Sequence, residues 1–192
     1  MEGVKRTLLP ATVAHAESGS VTRAGATPGA CPGKDAIGYF DSATHHQWSG
    51  SFSSQFGVAV TKVLGENHPF SSKGFFWGIW VNDRFASAGL CGLKLKPGDA
   101  LLVAPSPEKG TVFPIALTAP ATAKVGQPFV VKASYFKTAK AKTLPGVKVT
   151  DGVNATDSHG ATTVTAHKAG KLTIVATEKG FIRAEATVNV SK

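Results

Sequence analysis

The stretch from Gly74 to Pro105 constrains the fold more than any other part of the chain. It opens with an aromatic strand, Phe75–Val81, that runs into a turn at Asn82-Asp83. After a short return, a second turn at Lys96–Asp99 leads into a closing apolar strand, Ala100–Ala104. Short apolar runs separated by turn residues predict a small β-rich module. No arrangement of groups in this stretch indicates covalent chemistry.

One helix is predicted upstream of the aromatic strand. Between Asp35 and His45, the residues Ala36, Ile37 and Phe40 recur at helical spacing and would share a face. Trp48–Phe56 and Gly57–Leu64 then alternate apolar with small or polar residues, as half-buried strands do. One helix packed on a mixed sheet with a late aromatic strand predicts a β-grasp-like α+β domain over residues 1–105.

The pattern changes beyond a short proline-containing linker, which we place at residues 106–112. Residues 113–192 alternate as short strands with frequent Gly- and Pro-containing turns, which is typical of an immunoglobulin-like β-sandwich. The predicted strands are Pro114–Ala119, Phe129–Phe136, Gly146–Thr150, Ala161–Ala166, Lys171–Glu178 and Arg183–Ser191. The fold class predicted for the whole chain is therefore α+β followed by all-β.

The two cysteines, Cys31 and Cys91, both lie in the first half and form no CxxC pair. We expect a disulfide between them, the alternative being two buried thiols. A disulfide fits an exported protein with a small core.

The residues after Met1 have neither the basic nor the apolar region of a signal peptide, so we expect a fragment of a longer multidomain protein that is secreted or displayed at the cell surface. No segment is apolar enough over the length that a membrane helix requires.

The net charge of +9 is concentrated in the second half, where eleven Lys and Arg face four Asp and Glu. A basic field attracts anionic polymers such as those of a cell envelope. The alternative is a lysine-rich sheet surface that keeps the protein soluble and guards its strand edges. The aromatic residues of this half look like strand core, so nucleic-acid binding is not predicted. The candidate basic patch consists of Lys132, Lys137, Lys140, Lys142 and Lys148.

The aromatic strand also supplies a candidate ligand-binding face. In an extended strand Phe76, Gly78 and Trp80 point to one side, and Gly78 would leave a gap between the two rings. If that face is exposed, it could bind a flat ligand such as a sugar or a corrin ring. Trp48 and Asn82 complete the candidate set. The alternative is that both faces of the strand are buried.

Enzyme chemistry and metal binding are not predicted. No GxSxG elbow is present, and neither cysteine is placed as an activated thiol. Asp41 and His45 lie at i, i+4, with His46 adjacent, but a metal site needs three or four converging ligands and only His68 or Asp83 could be added. We therefore expect a polar helix end at these residues, no metal and no cofactor.

Residues 2–105 resemble a bacterial family of unknown function that is related to the C-terminal β-domain of transcobalamin and intrinsic factor. The likeness rests on Trp77, the Asn82-Asp83 turn, the small residues Ala86–Gly89, the turn at Leu95–Asp99 and the Cys-bearing helix segment CPGKDAIGYFDSAT. The second half resembles bacterial Big-type immunoglobulin-like domains through PGVKVTDG, TDSHGATTVTA and AGKLTIVATEKGFIRAEATVNV. These resemblances imply a β-grasp-like fold followed by a sandwich.

We accordingly expect a non-enzymatic, secreted or cell-surface module for binding or adhesion, with an immunoglobulin-like spacer. Its ligand would be extracellular, for example an anionic envelope polymer or a glycan. Two alternatives remain open. The first half could be a small-molecule carrier for a cobalamin-like or glycan ligand, or the chain could be a purely structural part of an envelope assembly.

Overall fold

A computed structural model describes residues 1–69 and 74–192, and the chain divides into two compact units, Met1–Thr111 and Val112–Lys192. Both units are built mainly of short strands, and the described residues contain one α-helix, which lies in the first unit. The β-rich, α+β character expected from the sequence is confirmed at this level.

In the N-terminal unit, the described residues form one helix, a short 3-10 turn and two three-stranded antiparallel sheets. The first sheet has the order β1-β2-β3 and the second has the order β5-β4-β6. The elements are the 3-10 turn Arg23–Gly25, α1 (Ala36–Ala43), β1 (Trp48–Ser53), β2 (Gly57–Val63), β3 (Glu66–Asn67), β4 (Phe75–Val81), β5 (Arg84–Phe85) and β6 (Leu101–Pro107).

Strand β6 is longer than the sequence pattern predicts and runs to Pro107, into the expected linker. Pro105 and Pro107 pair with β4 although they have no amide hydrogen to donate. They lie two and four residues beyond Val103, whose carbonyl faces the outer edge and accepts the amide of Glu2 at 3.1 Å. The backbone nitrogens of Pro105 and Pro107 point to the same outer edge, so the lack of N–H groups there removes no hydrogen bond to β4. This is the position expected for proline on an edge strand.

The predicted turn between β4 and β5 is confirmed. Asn82 and Asp83 both have positive φ, at 50° and 63°. Two consecutive residues in the left-handed region make the tight hairpin turn whose twist matches that of the flanking strands. The Asn-Asp pair suits it because short polar side chains tolerate this conformation better than other non-glycine residues.

The start of α1 is held by the loop that contains Cys91. The amides of Ala36 and Ile37 have no partner within the helix, and they donate to the carbonyls of Leu93 and Leu90 at 2.8 and 3.0 Å. Cys91 in turn is joined to Cys31, as the sequence predicts. The disulfide thus holds the loop against the first turn of the helix.

The end of α1 differs from the predicted one. The helix stops at Ala43, and the amides of His45 and His46 donate to the carbonyls of Ser42 and Asp41 at 3.0 and 2.9 Å. This pair of bonds is a Schellman motif, in which the chain leaves the helix through a left-handed residue. Here both histidines have positive φ, at 49° and 63°. His45 therefore does not continue the helix face that carries Asp41.

The core of the N-terminal unit lies between the helix, the two sheets and the disulfide. Trp77 of β4 and Val103 of β6 face it, together with buried side chains from the helix and from the first sheet. The indole of Trp77 donates to the carbonyl of Thr61 at 3.2 Å, so that its one polar atom is satisfied. The other buried hydrophobic members are Val21, Ala26, Cys31, Ala36, Ile37, Phe40, Trp48, Val58, Val63, Leu90 and Cys91.

The C-terminal unit contains ten strands. In one sheet β10 pairs with β8 on one side and with β13 and β11 on the other; a second sheet has the order β12-β14-β16-β9, and β7 pairs with β15. The strands are β7 (Phe113–Pro114), β8 (Ala116–Thr118), β9 (Thr122–Lys124), β10 (Pro128–Phe136), β11 (Ala141–Thr143), β12 (Lys148–Val149), β13 (Ala161–Thr165), β14 (Gly170–Thr177), β15 (Phe181–Ile182) and β16 (Ala184–Ser191).

The two larger sheets share one core. Val131 of β10 and Val164 of β13 are fully buried, as are Ile174 of β14 and Val188 of β16. The six predicted strands all contain observed strand residues, but the predicted Pro114–Ala119 is divided between β7 and β8. Strands β9, β11 and β15 have no predicted counterpart, because two or three residues give almost no periodic signal.

Candidate functional site

The aromatic face that the sequence offers as a ligand surface is not exposed. Trp80 is only 1% exposed, and its ring lies across Gly78, so that a Cβ at Gly78 would be 2.5 Å from a ring carbon. The ring of Phe85 on β5 stands edge-on to Trp80 with centroids 5.2 Å apart, and Phe76 is half-buried. The gap at Gly78 is thus filled by Trp80 itself. This corrects the expectation that Phe76 and Trp80 flank an open ligand slot.

Trp48 is also an interior residue. Its ring packs on Phe40 with centroids 5.4 Å apart, and its indole N–H donates to Asp41 Oδ1 at 2.6 Å. The side chain is buried in the core of the unit. Trp48 therefore anchors the helix end and offers no surface to a ligand.

Asn82 joins two turns. Its Nδ2 donates to Asp99 Oδ1 at 2.8 Å, and its Oδ1 accepts the amide of Ala100 at 2.9 Å. Asp99 Oδ2 accepts the amide of Lys96 at 2.8 Å. This backbone hydrogen bond, followed by the one from Asn82, lowers the pKa of Asp99 below its ordinary value. Both polar atoms of the Asn82 side chain are therefore used in holding the two turns together.

A groove of about 600 Å³ runs along the exposed side of α1. It is lined by the segment Leu9–Ala14, by the loop Leu95–Leu101, by the helix residues Tyr39 and Ala43, which lie one turn apart, and by Met1. The amino group of Met1 donates to the carbonyl of Leu9 at 2.7 Å, which holds the segment beside the helix. The volume lies in the range of small-ligand sites.

The groove combines apolar walls with a polar rim. Leucine, proline and alanine side chains line most of it, and the half-buried ring of Tyr39 is its one aromatic group. Thr12, Lys96 and Asp99 supply polar groups at its edge. No sequence pattern predicts this groove, because its lining comes from three separate segments.

A second polar site lies on the opposite side of α1, around Asp41. The Asp41 carboxylate is buried; its Oδ2 is 3.0 Å from His46 Nδ1, and its Oδ1 is 3.5 Å from Arg23 Nε. One ligand atom each from Glu17, Asp41 and His46 lies within 4.8 Å of the others. These residues line a cleft of about 230 Å³.

Sequence reasoning paired Asp41 with His45 and overlooked Glu17. The Schellman motif, rather than helix periodicity, brings His46 to Asp41. Glu17 lies near Asp41 because its backbone amide donates to the carbonyl of Gly33. Gly33 in turn packs directly against α1: a Cβ added at Gly38 would be 1.8 Å from the Gly33 carbonyl oxygen. Two glycines at this contact were the only available signal.

The five lysines of the candidate basic patch are all exposed, but they do not share one face. Lys137 and Lys140 lie in the turn between β10 and β11, and Lys142 follows on β11. Lys142 pairs with Tyr135, whereas Lys132 is an odd number of residues away on β10 and therefore points to the other side of the sheet. Lys148 belongs to β12 in the other sheet.

No helix among residues 1–69 and 74–192 has the length and apolar character to cross a membrane. Comparisons with protein-family models, with curated proteins and with solved structures find no match to this chain.

Proposed function

We propose that the chain is a non-enzymatic extracellular binding protein, and that its N-terminal unit binds a short glycan in the groove beside α1. The groove itself is the observation that supports this proposal. An apolar wall with one aromatic ring can stack on a sugar, and a rim of hydroxyl, ammonium and carboxylate groups can bind its hydroxyls. Tyr39 is the expected stacking residue, with Thr12, Lys96 and Asp99 around it.

The extracellular location is supported by the disulfide between Cys31 and Cys91. Disulfides persist in oxidising environments such as the cell surface and are rare in a reducing cytosol. Both cysteines are buried, and the bridge holds the loop that caps α1. It therefore contributes to the framework of the same unit that carries the groove.

The C-terminal unit is proposed to be an immunoglobulin-like spacer. Its first strands support this: β8 runs antiparallel to β10 in one sheet, and β9 then runs parallel to β16 in the other. An initial segment that moves between two sheets around one core is characteristic of this sandwich. For the N-terminal unit, one helix beside short strands supports the proposed β-grasp-like relationship to the transcobalamin β-domain. Its described strands pair antiparallel in two separate sheets, which differs from the mixed sheet expected from the sequence.

The experiment is a titration of the isotope-labelled chain with a β-1,4-linked N-acetylglucosamine tetrasaccharide, followed by NMR. Binding should shift the amide resonances of Leu9–Ala14 and Leu95–Leu101. The variant Ala43→Trp fills the groove and should abolish the shifts, whereas Ser42→Trp places the same side chain next to it, outside the groove lining, and should retain them.

The outcomes separate the alternatives. Loss of binding in both tryptophan variants, or resonance shifts confined to other surfaces, would contradict the proposal that the glycan binds in the groove. Cyanocobalamin serves as the second probe. If it shifts the groove resonances while the oligosaccharide does not, the unit is a small-molecule carrier and the glycan proposal fails. If neither probe binds, a purely structural role is favoured.

A further inference from the structure

A cluster of metal-ligating side chains lies outside the groove, where the segment Glu17–Val21 meets the end of α1. It combines two carboxylates, from Glu17 and Asp41, with the imidazole of His46. One potential ligand atom of each lies within 4.8 Å of the others, and the cleft above them has a volume of about 230 Å³. The proposed glycan function makes no use of these residues.

We propose that Glu17, Asp41 and His46 bind a divalent transition-metal cation, with Zn²⁺ as the expected ion. Two carboxylate oxygens and one imidazole nitrogen are ligands that Zn²⁺ accepts, and a tetrahedral ion keeps its fourth position for water or a ligand in the cleft. Ca²⁺ and Mg²⁺ prefer six or more oxygens and do not favour an imidazole ligand.

Backbone hydrogen bonds fix the positions of the residues that supply the ligands. The amide of Glu17 donates to the Gly33 carbonyl at 3.0 Å, and Val21 donates to Cys31 at 2.9 Å, so this segment is tied to the disulfide. The Schellman motif fixes His46 over the last turn of the helix. A small adjustment of side chains therefore brings the ligand atoms to coordination distance without moving the fold.

Asp41 has the outer support that a metal-binding carboxylate usually has. Its Oδ1 accepts the indole N–H of Trp48 at 2.6 Å, which leaves Oδ2, on the side of His46, for the ion. Such hydrogen bonds orient a ligand and raise metal affinity. Trp48 is buried, so this orientation is fixed by the core.

The charges of the cluster also favour a cation. The carboxylates of Glu17 and Asp41 lie close together, and no side chain of the described residues forms an ion pair or hydrogen bond with Glu17. Arg23 is the neighbouring positive charge; its Nε is 3.5 Å from Asp41, and its side chain is 42% exposed. Because it can swing into solvent, Arg23 competes with a metal ion without blocking it.

The test uses the full chain without a polyhistidine tag, stripped with chelator and titrated with ZnCl₂ by calorimetry. One equivalent should bind, and Glu17→Gln and His46→Asn should each weaken the affinity by at least about 10-fold. His45→Asn is the matched control at the adjacent left-handed residue and should bind as the wild type does. Arg23→Gln removes the competing charge and should tighten binding several-fold.

Co²⁺ gives an independent readout, since a tetrahedral site produces strong visible absorption bands that water-exposed octahedral Co²⁺ lacks. The bands should appear in the wild type and in Arg23→Gln and should be absent in His46→Asn. Circular dichroism of each apo variant checks that it is folded. Failure of both wild type and Arg23→Gln to bind, or binding that His46→Asn leaves unchanged, would overturn the proposal and leave Asp41 as the centre of ion pairs with Arg23 and His46.

Discussion

At the scale of single residues, the end of α1 depends on conformations that its side chains do not favour. His45 occupies the C′ position of the Schellman motif, where φ is 49°, and His46 follows at 63°. Glycine is the usual residue at C′ because other L-residues incur a steric cost in the left-handed region. A histidine at this position is tolerated because the backbone bonds to Ser42 and Asp41 hold the turn.

Replacing His45 by glycine should therefore stabilise the N-terminal unit by about 1 kcal/mol, since the left-handed strain at this residue is removed. Chemical denaturation, monitored by tryptophan fluorescence, measures the change in the unfolding midpoint. His46→Gly should not give the same gain, because it also removes the imidazole that lies 3.0 Å from Asp41. A loss of stability in His45→Gly would contradict this description of the helix end.

The same residues explain a limit of sequence reasoning. Apolar spacing locates α1, but it gives no signal for where the helix stops or which histidine meets Asp41. In the aromatic strand, the sequence pattern predicts the side-chain directions but not the contacts. Alternation assigns Trp77 and Trp80 to opposite faces, yet it cannot tell that Trp80 lies across Gly78 and closes the gap that this glycine opens.

At the scale of elements, the two turns of the second sheet form one hydrogen-bonded structure. Asp99 accepts an amide within its own turn and binds Asn82 in the neighbouring one. The Asp99 carboxylate therefore links the turn before β5 to the turn before β6. The sequence predicts both turns from their residue types, but not the link between them.

Asp99→Asn should lower stability at neutral pH, because the amide reproduces only part of these bonds. Since hydrogen bonds lower the pKa of Asp99 in the folded state, its contribution is present above about pH 4 and is lost as the pH falls through the folded-state value. The melting temperatures of wild type and variant should thus converge in acid.

The adjacent turn supplies a control of opposite sign. Burial raises the pKa of Asp83, so its ionised form costs stability above about pH 4. Asp83→Asn should accordingly leave the melting temperature at pH 7 unchanged or higher. Parallel losses in both variants at every pH would show that the carboxylate charge of Asp99 is not responsible.

At the scale of the whole molecule, the two cysteines of the chain form one disulfide, which lies in the N-terminal unit. The described C-terminal unit is held by packing between its two sheets, around residues such as Val131 and Ile174. In the N-terminal unit, the bridge has a sequence separation of 60 and joins the loop that caps α1 to Cys31, whose carbonyl accepts the amide of Val21 in the segment that bears Glu17. Cysteine composition alone predicts this bridge; the elements that it connects become evident only in the fold.

Replacing both Cys31 and Cys91 by serine should destabilise the N-terminal unit by about 4 kcal/mol, because the unfolded chain regains the entropy of an open loop of this length. Denaturant unfolding of the variant, compared with the disulfide-bonded wild type under non-reducing conditions, measures the effect. The C-terminal unit, which contains no cysteine, provides an internal reference. An unfolding midpoint that does not change would show that the bridge is incidental.

The groove is a property of the folded N-terminal unit, because it forms only when the segment Leu9–Ala14, the helix and the loop Leu95–Leu101 come together. Glycan binding in the groove can be measured by intermolecular nuclear Overhauser effects with the N-acetylglucosamine tetrasaccharide. We predict contacts between sugar protons and the ring of Tyr39, with further contacts to methyl groups of Leu95 and Leu101. Contacts confined to exposed rings elsewhere, such as Phe56 or Phe85, or none at all with saturating sugar, would contradict the proposed function.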